Sequence, residues 1–425
     1  MSPTWKRFIV VVAVMLMCLA SFGVGVAAGP GVEGAMGMAP VADKGIPVEF
    51  RTLLQVWSLV NDNFVDHKAV DPKRMAYAAI NAMLATLHDT GHTRFLTADE
   101  YRGQQEHFQG QFTGIGTTVA VRDHHPVILE PLAGAPADKA GLRADDVILA
   151  IDGHDTTDMT PDDAAKLIRG RRGTTLVLKI ERGGGAPFDV NVVRDVIPIV
   201  TIHWQVLGGS DVADISIGEF SDGTDRKLDD AIAAAKKEGA KRFIIDVRDD
   251  PGGLLAESVG VTSAFLTQGT VLIEEDAKGG KQTYKVDGHA VAPTEPVIVL
   301  VNKNTASAAE IFAGAMKDNR RAQIVGSTTL GTGTVLSTYQ LKDGSALLLG
   351  TQQWLTPSGQ TIKDHGITPD EVVSLPEGAT TLQPGGKSFP KNWQDAAHAD
   401  DLQLAAAVRA FTDQDTSQRP TNGTG

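Results

Sequence analysis

The sequence predicts an α/β protein in three parts: an N-terminal helical region, a small β-rich module and a larger core of alternating strands and helices. Three observations predict it. Apolar residues recur at spacings of three and four between residues 50 and 64. Short strands bounded by glycine turns crowd residues 112–195. From 196 to about 375, apolar five-residue runs alternate with helical segments, the texture of βαβ units around a largely buried sheet.

With 425 residues, the chain has room for two or three domains and a sizeable core. Hydrophobic residues at 42% and charged residues at 21% are those of an ordinary globular protein. The formal charge is −13 and no basic stretch is present, which argues against nucleic acid as a partner.

The first element reads as an address. Lys6 and Arg7 precede an apolar run over 8–28 that ends in Val26-Ala27-Ala28, a small-residue cleavage site. Uncut, the run is long enough to span a bilayer. Either way, positive charge on the near side sends the remainder across the cytoplasmic membrane, to be periplasmic or anchored facing the periplasm. Cys18, the single cysteine, lies in this run, so the exported part has no disulfide and no cysteine metal site.

A Gly/Ala/Pro-rich linker (29–47) leads into the helical region, 48–111. Phe50, Leu53, Leu54, Trp57, Val60 and Phe64 share one helix face. A second helix is expected over 71–87, with Met75, Ala78, Ala79 and Met83 inward and Gly91 ending the pattern. The module at 112–195 has strands at Val127-Ile128-Leu129, 147–151 and 176–180, and one short helix at 161–169. In the core, 196–375, the strand 243–247 runs into Pro251-Gly252-Gly253 and a helix from about Leu254. The strand 297–301 is followed by a helix over 308–317 and a strand at 323–325. Beyond 376 the chain is Gly/Pro/polar, with one short helix at 402–411, and is expected to be mostly disordered.

Ser307, in Thr305-Ala306-Ser307-Ala308-Ala309-Glu310, stands where a buried strand turns into a helix. There, open backbone amides and the helix dipole favour a developing negative charge. The same four residues, Ser307 to Glu310, are also a capping box, and alone they favour that simpler role. Pro251-Gly252-Gly253 lets amides approach a ligand closely, as an oxyanion hole requires, or is a tight βα turn. Thr113-Gly114-Ile115-Gly116, followed by a strand, can present successive amides to a peptide carboxylate, or belongs to a small barrel without a ligand. The spacing 326–331 resembles a phosphate loop, but Thr332 follows where lysine is required. His124 and His125 point to opposite faces of a strand, and His88 and His92 are separated by Gly91. No metal and no cofactor is expected.

Taken in order, these segments resemble the carboxyl-terminal processing peptidases, or tail-specific proteases. The likeness runs from about residue 50 to 375. It includes Thr93-Arg94-Phe95-Leu96-Thr97, the Gly-Ile-Gly opening of a PDZ domain, Pro251-Gly252-Gly253-Leu254-Leu255, the Ser307 segment, Thr356-Pro357-Ser358-Gly359 and Gly366-Ile367-Thr368-Pro369-Asp370. The resemblance implies a ClpP/crotonase-like core with an inserted PDZ domain and N-terminal helices that often dimerise. It implies a Ser–Lys dyad that cleaves exported or misfolded proteins near their C-termini. Ser307 would be the nucleophile. Amides of Ala308 and of Gly252 or Gly253 would form the oxyanion hole, and Gly114, Ile115 and Gly116 would bind the substrate's C-terminal segment.

This chain departs from the family at Thr332 and Leu336, where the resemblance implies Lys and Gln; Gly326, Thr329, Gly331, Gly333 and Val335 keep the register. A desolvated lysine can be neutral near pH 7 and accept the serine proton, which threonine cannot do. Losing such a base costs on the order of 10⁴ to 10⁶ in rate. Three readings stay open: a PDZ protein with impaired proteolysis; a peptidase whose base is His203, Lys363 or His365; and a small-molecule carrier with an enclosed apolar pocket at Ser307.

Overall fold

The computed structural model describes residues 47–89, 92–376 and 378–417. The address segment with Lys6, Arg7 and Cys18, most of the linker, the break expected at Gly91 and the tail from 418 lie outside the described residues. By internal contacts the chain forms two units. One holds the described residues up to Phe95 with Leu336–Gly350; the other holds Leu96–Val335 with the residues from Thr351 on.

In the first unit, helices Val48–Asn63 and Pro72–Ala85 form where the periodicity puts them. Asp71 caps the second, accepting the Arg74 N–H at 3.0 Å, and Pro72 occupies the first turn, where its missing N–H is harmless. The inward faces differ from expectation. No residue of the first helix is buried and only Leu84 is buried in the second; Ala78 is exposed, and Met83 is 45% exposed. A helix stripe is buried only if a neighbour covers it. Within this unit the ring of Tyr77 lies 4.6 Å from that of Phe95 and its hydroxyl donates to Asp343 at 2.7 Å.

The second unit carries the β-rich module and the core. In the module, antiparallel strands are ordered Thr117–Arg122, His125–Pro131, Val147–Ile151, Thr175–Glu181 and Phe188–Val193. Leu176, Leu178 and Ile180 alternate inward with exposed neighbours, the period-two signature of a half-buried strand. Gln111–Gly114 and Asp195–Pro198 pair antiparallel, so the module leaves and rejoins the core through a two-stranded stalk.

The core sheet is ordered Ile202–Val206, Val212–Ile217, Arg242–Asp246, Val297–Val301, Gln323–Gly326 and Glu371–Val372, parallel after the first pair. Val297, Val299 and Val301 face a cluster with helices Thr224–Lys237 and Ala308–Asp318, while Ile298 and Leu300 face Leu404, Val408 and Phe411. Every residue of that strand is therefore buried, as a two-sided layer requires.

That second layer corrects one expectation. Much of the segment beyond 376 is not a loose tail. Helices Trp393–Ala397 and Leu402–Ser417 cover a face of the sheet. Arg248, fully buried, donates to Asp246 and to both oxygens of Asp401, pinning this segment to the end of a central strand. The run Ala405-Ala406-Ala407 buries its small side chains without the contrast that makes a helix face readable.

Candidate active site

The buried strand Val297–Val301 delivers the chain into a turn that is sewn to the turn after its neighbour, Arg242–Asp246. Thr305 Oγ1 accepts the Asn302 N–H at 2.9 Å and donates to the Val247 carbonyl at 2.8 Å; the Ala306 N–H donates to the Asp250 carbonyl at 2.9 Å. Asp249, at φ +60°, accepts from the side-chain amides of Asn302 (2.9 Å) and Asn304 (2.7 Å) and from the Thr381 hydroxyl (2.9 Å). Burial pushes its carboxyl up, but these hydrogen bonds outweigh burial and hold it below the ordinary range.

Ser307 sits half-buried at the start of helix Ala308–Asp318 with φ +52° and ψ −118°. An ordinary N-cap has extended backbone. A non-glycine residue held at positive φ costs about 1–3 kcal/mol, a strain that clusters at functional sites. The Ser307 N–H donates to Glu310 Oε2 at 3.0 Å, and the Glu310 N–H donates to the Ser307 carbonyl at 2.9 Å. The main chain thus makes the reciprocal bonds at this helix start.

Glu310 joins the two halves of the site. Fully buried, it accepts from Thr329 Oγ1 (2.5 Å) and the Gly331 N–H (2.7 Å) on Oε1, and from the Ser307 N–H (3.0 Å) and Thr332 N–H (2.7 Å) on Oε2. Four donors fill its acceptor sites. Ser307 and Thr332 therefore share one carboxylate oxygen and are held as neighbours.

Gly252, at φ +96°, lies against the nucleophile: a Cβ there would stand 2.6 Å from Ser307 Cβ and 2.8 Å from the Ala308 nitrogen. Its N–H is occupied, donating to Asp250 Oδ1 at 2.7 Å. Phe220 clamps the turn, its N–H donating to the Gly252 carbonyl (2.8 Å) and its carbonyl accepting from Leu254 (2.7 Å). Among the described residues, no acceptor occupies the N–H of Gly253 or of Ala308. Burial pushes the Asp250 carboxyl well above its ordinary range, and its second oxygen has no partner.

On the facing loop, Thr332 is 8% exposed and Thr334 9% exposed, and both hydroxyls are buried without a hydrogen-bond partner. Leu336 is half-buried on strand Thr334–Gln340 and groups with the first unit. Of the residues weighed as substitute bases, His203 is excluded by position. It lies on the edge strand Ile202–Val206, three strand spacings or about 14 Å from Val297–Val301, and its ring faces Gly385. Lys363 and His365 lie in a turn packed on the loop: a Cβ on Gly333 would meet the Lys363 nitrogen at 2.1 Å, and Asp364 N–H donates to Gly331 at 3.0 Å. His365 is exposed, its Nδ1 2.7 Å from the Lys363 carbonyl oxygen.

In the module, Gly116 at φ +71° packs so closely that a Cβ would stand 2.5 Å from that of Ala135. The Ile115 and Gly116 carbonyls accept from Ala137 (2.8 Å) and Leu132 (2.9 Å), while their N–H groups meet no acceptor among the described residues. Thr117–Arg122, which follows, is an edge strand near helix Pro161–Ile168. An open edge beside free amides is the arrangement that adds a peptide strand and takes its terminal carboxylate.

Sequence reasoning missed the joint made by Glu310. The spacing of a capping box marks Glu310 in the sequence, but a buried carboxylate with four donors depends on loop contacts distant in sequence.

Residues 211–373 match the model of peptidase family S41, and residues 127–182 match a PDZ domain. The chain is 33% identical over 314 residues to the carboxy-terminal processing protease CtpA of Bacillus subtilis, covering 74% of this chain and 67% of that one. It is 34% identical over 350 residues to the carboxyl-terminal-processing protease of Synechocystis sp., covering 77% and 82%. A Bacteroides fragilis structure assigned to the S41 proteases aligns over 85% of this chain and 97% of its own, with a TM-score of 0.50 and 16% identity, a likeness of fold alone.

Proposed function

Because this chain belongs to peptidase family S41, among the carboxyl-terminal processing proteases, we propose that it is an exported PDZ protein that captures protein C-termini and in which proteolysis by Ser307 is impaired. The observation that carries this reading is Thr332. The residue beside Ser307, on the loop held by Glu310, ends in a buried hydroxyl that cannot accept a proton near neutral pH. The frame is otherwise fit for acyl transfer. Ser307 would attack the carbonyl, and the open amides of Gly253 and Ala308 would receive the oxyanion at the positive end of helix Ala308–Asp318. With no base to take the Ser307 proton, the attack stalls.

Substrate capture falls to Ile115 and Gly116 with the edge strand Thr117–Arg122, for the exposed C-termini of exported or misfolded proteins. The address at 8–28 supports a periplasmic or membrane-anchored location. The uncovered stripe of Phe50, Leu53, Leu54 and Phe64 suits a second copy of the chain. Two assays test the reading: binding of C-terminal peptides with free or amidated carboxyl ends, and hydrolysis of an unfolded protein by the native chain and by Ser307→Ala. The reading expects carboxylate-dependent binding, with hydrolysis orders of magnitude below that of the Thr332→Lys variant. Equal binding of amidated peptides would remove the PDZ part.

One observation favours a second reading, an active peptidase using Lys363. Its main chain lies directly on Gly333, the residue after Thr332. Fast Ser307-dependent cleavage that disappears in Lys363→Met would establish it.

A further inference from the structure

Three consecutive residues of the C-terminal layer reach the active site, although they lie beyond the stretch that matches the peptidase family. The Thr381 hydroxyl donates to Asp249 Oδ2 at 2.9 Å. The Leu382 carbonyl accepts from the Arg248 guanidinium at 3.1 Å, and the Leu382 N–H donates at 2.8 Å to Asp401 Oδ2, an oxygen that also holds Arg248. The Gln383 side-chain amide donates to the Arg248 carbonyl at 3.2 Å. The two residues so gripped, Arg248 and Asp249, come directly before the turn Asp250-Pro251-Gly252-Gly253.

Asp249 is where this grip meets the nucleophile. Its N–H donates to Asn302 Oδ1 at 3.1 Å and its Oδ1 accepts from the Asn302 side-chain amide at 2.9 Å, a reciprocal pair to which Asn304 adds a bond of 2.7 Å. Both asparagines belong to the turn that delivers Ser307. One carboxylate thus ties three segments, with the asparagines on Oδ1 and Thr381 on Oδ2. A non-glycine residue at φ +60° persists only where its surroundings over-determine it, and these bonds supply that determination.

We propose that Thr381-Leu382-Gln383 is a positioning segment of the active site, and that Thr381, acting through Asp249, sets the open Gly253 and Ala308 amides against Ser307. The inference rests on the reading that these amides receive the oxyanion. Such donors act only at hydrogen-bond distance from the charge that develops in the transition state. A small shift of the turn therefore lowers kcat and leaves substrate binding as it was. Arg248 and Asp401 are buried and ion-paired, so replacing either would damage the fold. The hydroxyl of the half-buried Thr381 can be removed alone.

The test compares Thr381→Val, Thr381→Ser and Leu404→Ala, each made in the full chain and again alongside Thr332→Lys. An unfolded casein is the substrate and Ser307→Ala the blank. Leu404 is fully buried in the C-terminal layer, so its truncation loosens that layer without removing a bond to Asp249. Alongside Thr332→Lys, Thr381→Val is expected to lower kcat about 10-fold with KM unchanged. Thr381→Ser should restore kcat, and Leu404→Ala should lower Tm yet leave kcat unchanged well below that Tm. An unchanged kcat in Thr381→Val overturns the proposal. So does a loss shared by Leu404→Ala, which would make the segment a general support. With Thr332 in place, amide hydrogen exchange gives a readout that needs no turnover. Thr381→Val should speed exchange over residues 247–254 and 302–308 and leave the PDZ module as it was. If Thr332→Lys is itself inactive, the reading of an enzyme silenced by one missing base falls, and exchange decides alone. A rise confined to those two turns supports the positioning role; no rise, or a rise spread through the C-terminal layer, overturns it.

Discussion

The turn that carries Ser307 and the loop that faces it are built to different standards. On the nucleophile side, Asn302, Asn304, Thr305 and Asp249 are each partnered, with the second carboxylate oxygen of Asp250 the exception, and the strained Ser307 backbone is held from both directions. On the facing loop, the main chain is as firmly held, with the Gly331 and Thr332 amides on Glu310, yet two buried side chains end in unpaired hydroxyls. The difference teaches that the frame of this site is held independently of the side chain at 332: the Gly331 and Thr332 amides bind the loop to Glu310 through backbone.

The largest effect should therefore come from one residue. Thr332→Lys is expected to raise Ser307-dependent cleavage of an unfolded protein on the order of 10³-fold or more above the native chain. Burial would depress the new ammonium toward neutrality and so make it a base. Adding Leu336→Gln should raise the rate further. If Thr332→Lys gains nothing over Ser307→Ala, the side chain at 332 is not what limits Ser307.

Next come the stabilities of the two sides. Glu310→Gln replaces a four-acceptor carboxylate by one oxygen and an NH₂ group, leaving buried donors unmet. A loss on the order of 3 kcal/mol in urea unfolding is expected. Thr332→Val, which removes an orphan hydroxyl at nearly constant volume, should be neutral or stabilise by about 1 kcal/mol. A Thr332→Val variant as damaged as Glu310→Gln would mean that the hydroxyl has a partner after all.

What the sequence disclosed follows the same division. The βαβ core and the β-rich module could be read because each rests on local spacing: a strand, a glycine turn, a helix start. Local spacing alone makes Ser307 a helix cap and Gly252-Gly253 a tight turn, and only the resemblance gives them and Thr332 a part in a site. Glu310 as a joint, and the choice of Gly253 over Gly252 as the open amide, could not, because both depend on bonds between segments distant in the chain or on which side-chain oxygen reaches which N–H. The C-terminal layer was misjudged for another reason. Alanines at 405–407 are buried by neighbours, and their own chemistry does not announce it.

The smallest expected effect tests whether the nucleophile side extends to the stalk of the PDZ module. His107, at the end of helix Ala98–Phe108, lies 2.6 Å from Glu219, next to the Phe220 that clamps Gly252 and Leu254. The hydrogen bond to Glu219 raises the imidazole above its ordinary value, with burial opposing. A raised folded-state pKa contributes stability that is fully present below about 6.5, the ordinary histidine value. That contribution disappears as pH rises through the higher folded value. Because the imidazole is half-exposed, the contribution should stay under about 1 kcal/mol. Urea midpoints of the native chain should therefore fall slightly across the alkaline side of pH 6.5 relative to Glu219→Gln, which lacks the partner. Parallel curves would mean that the clamp stands without this pair, and that the firmly held region ends at Phe220.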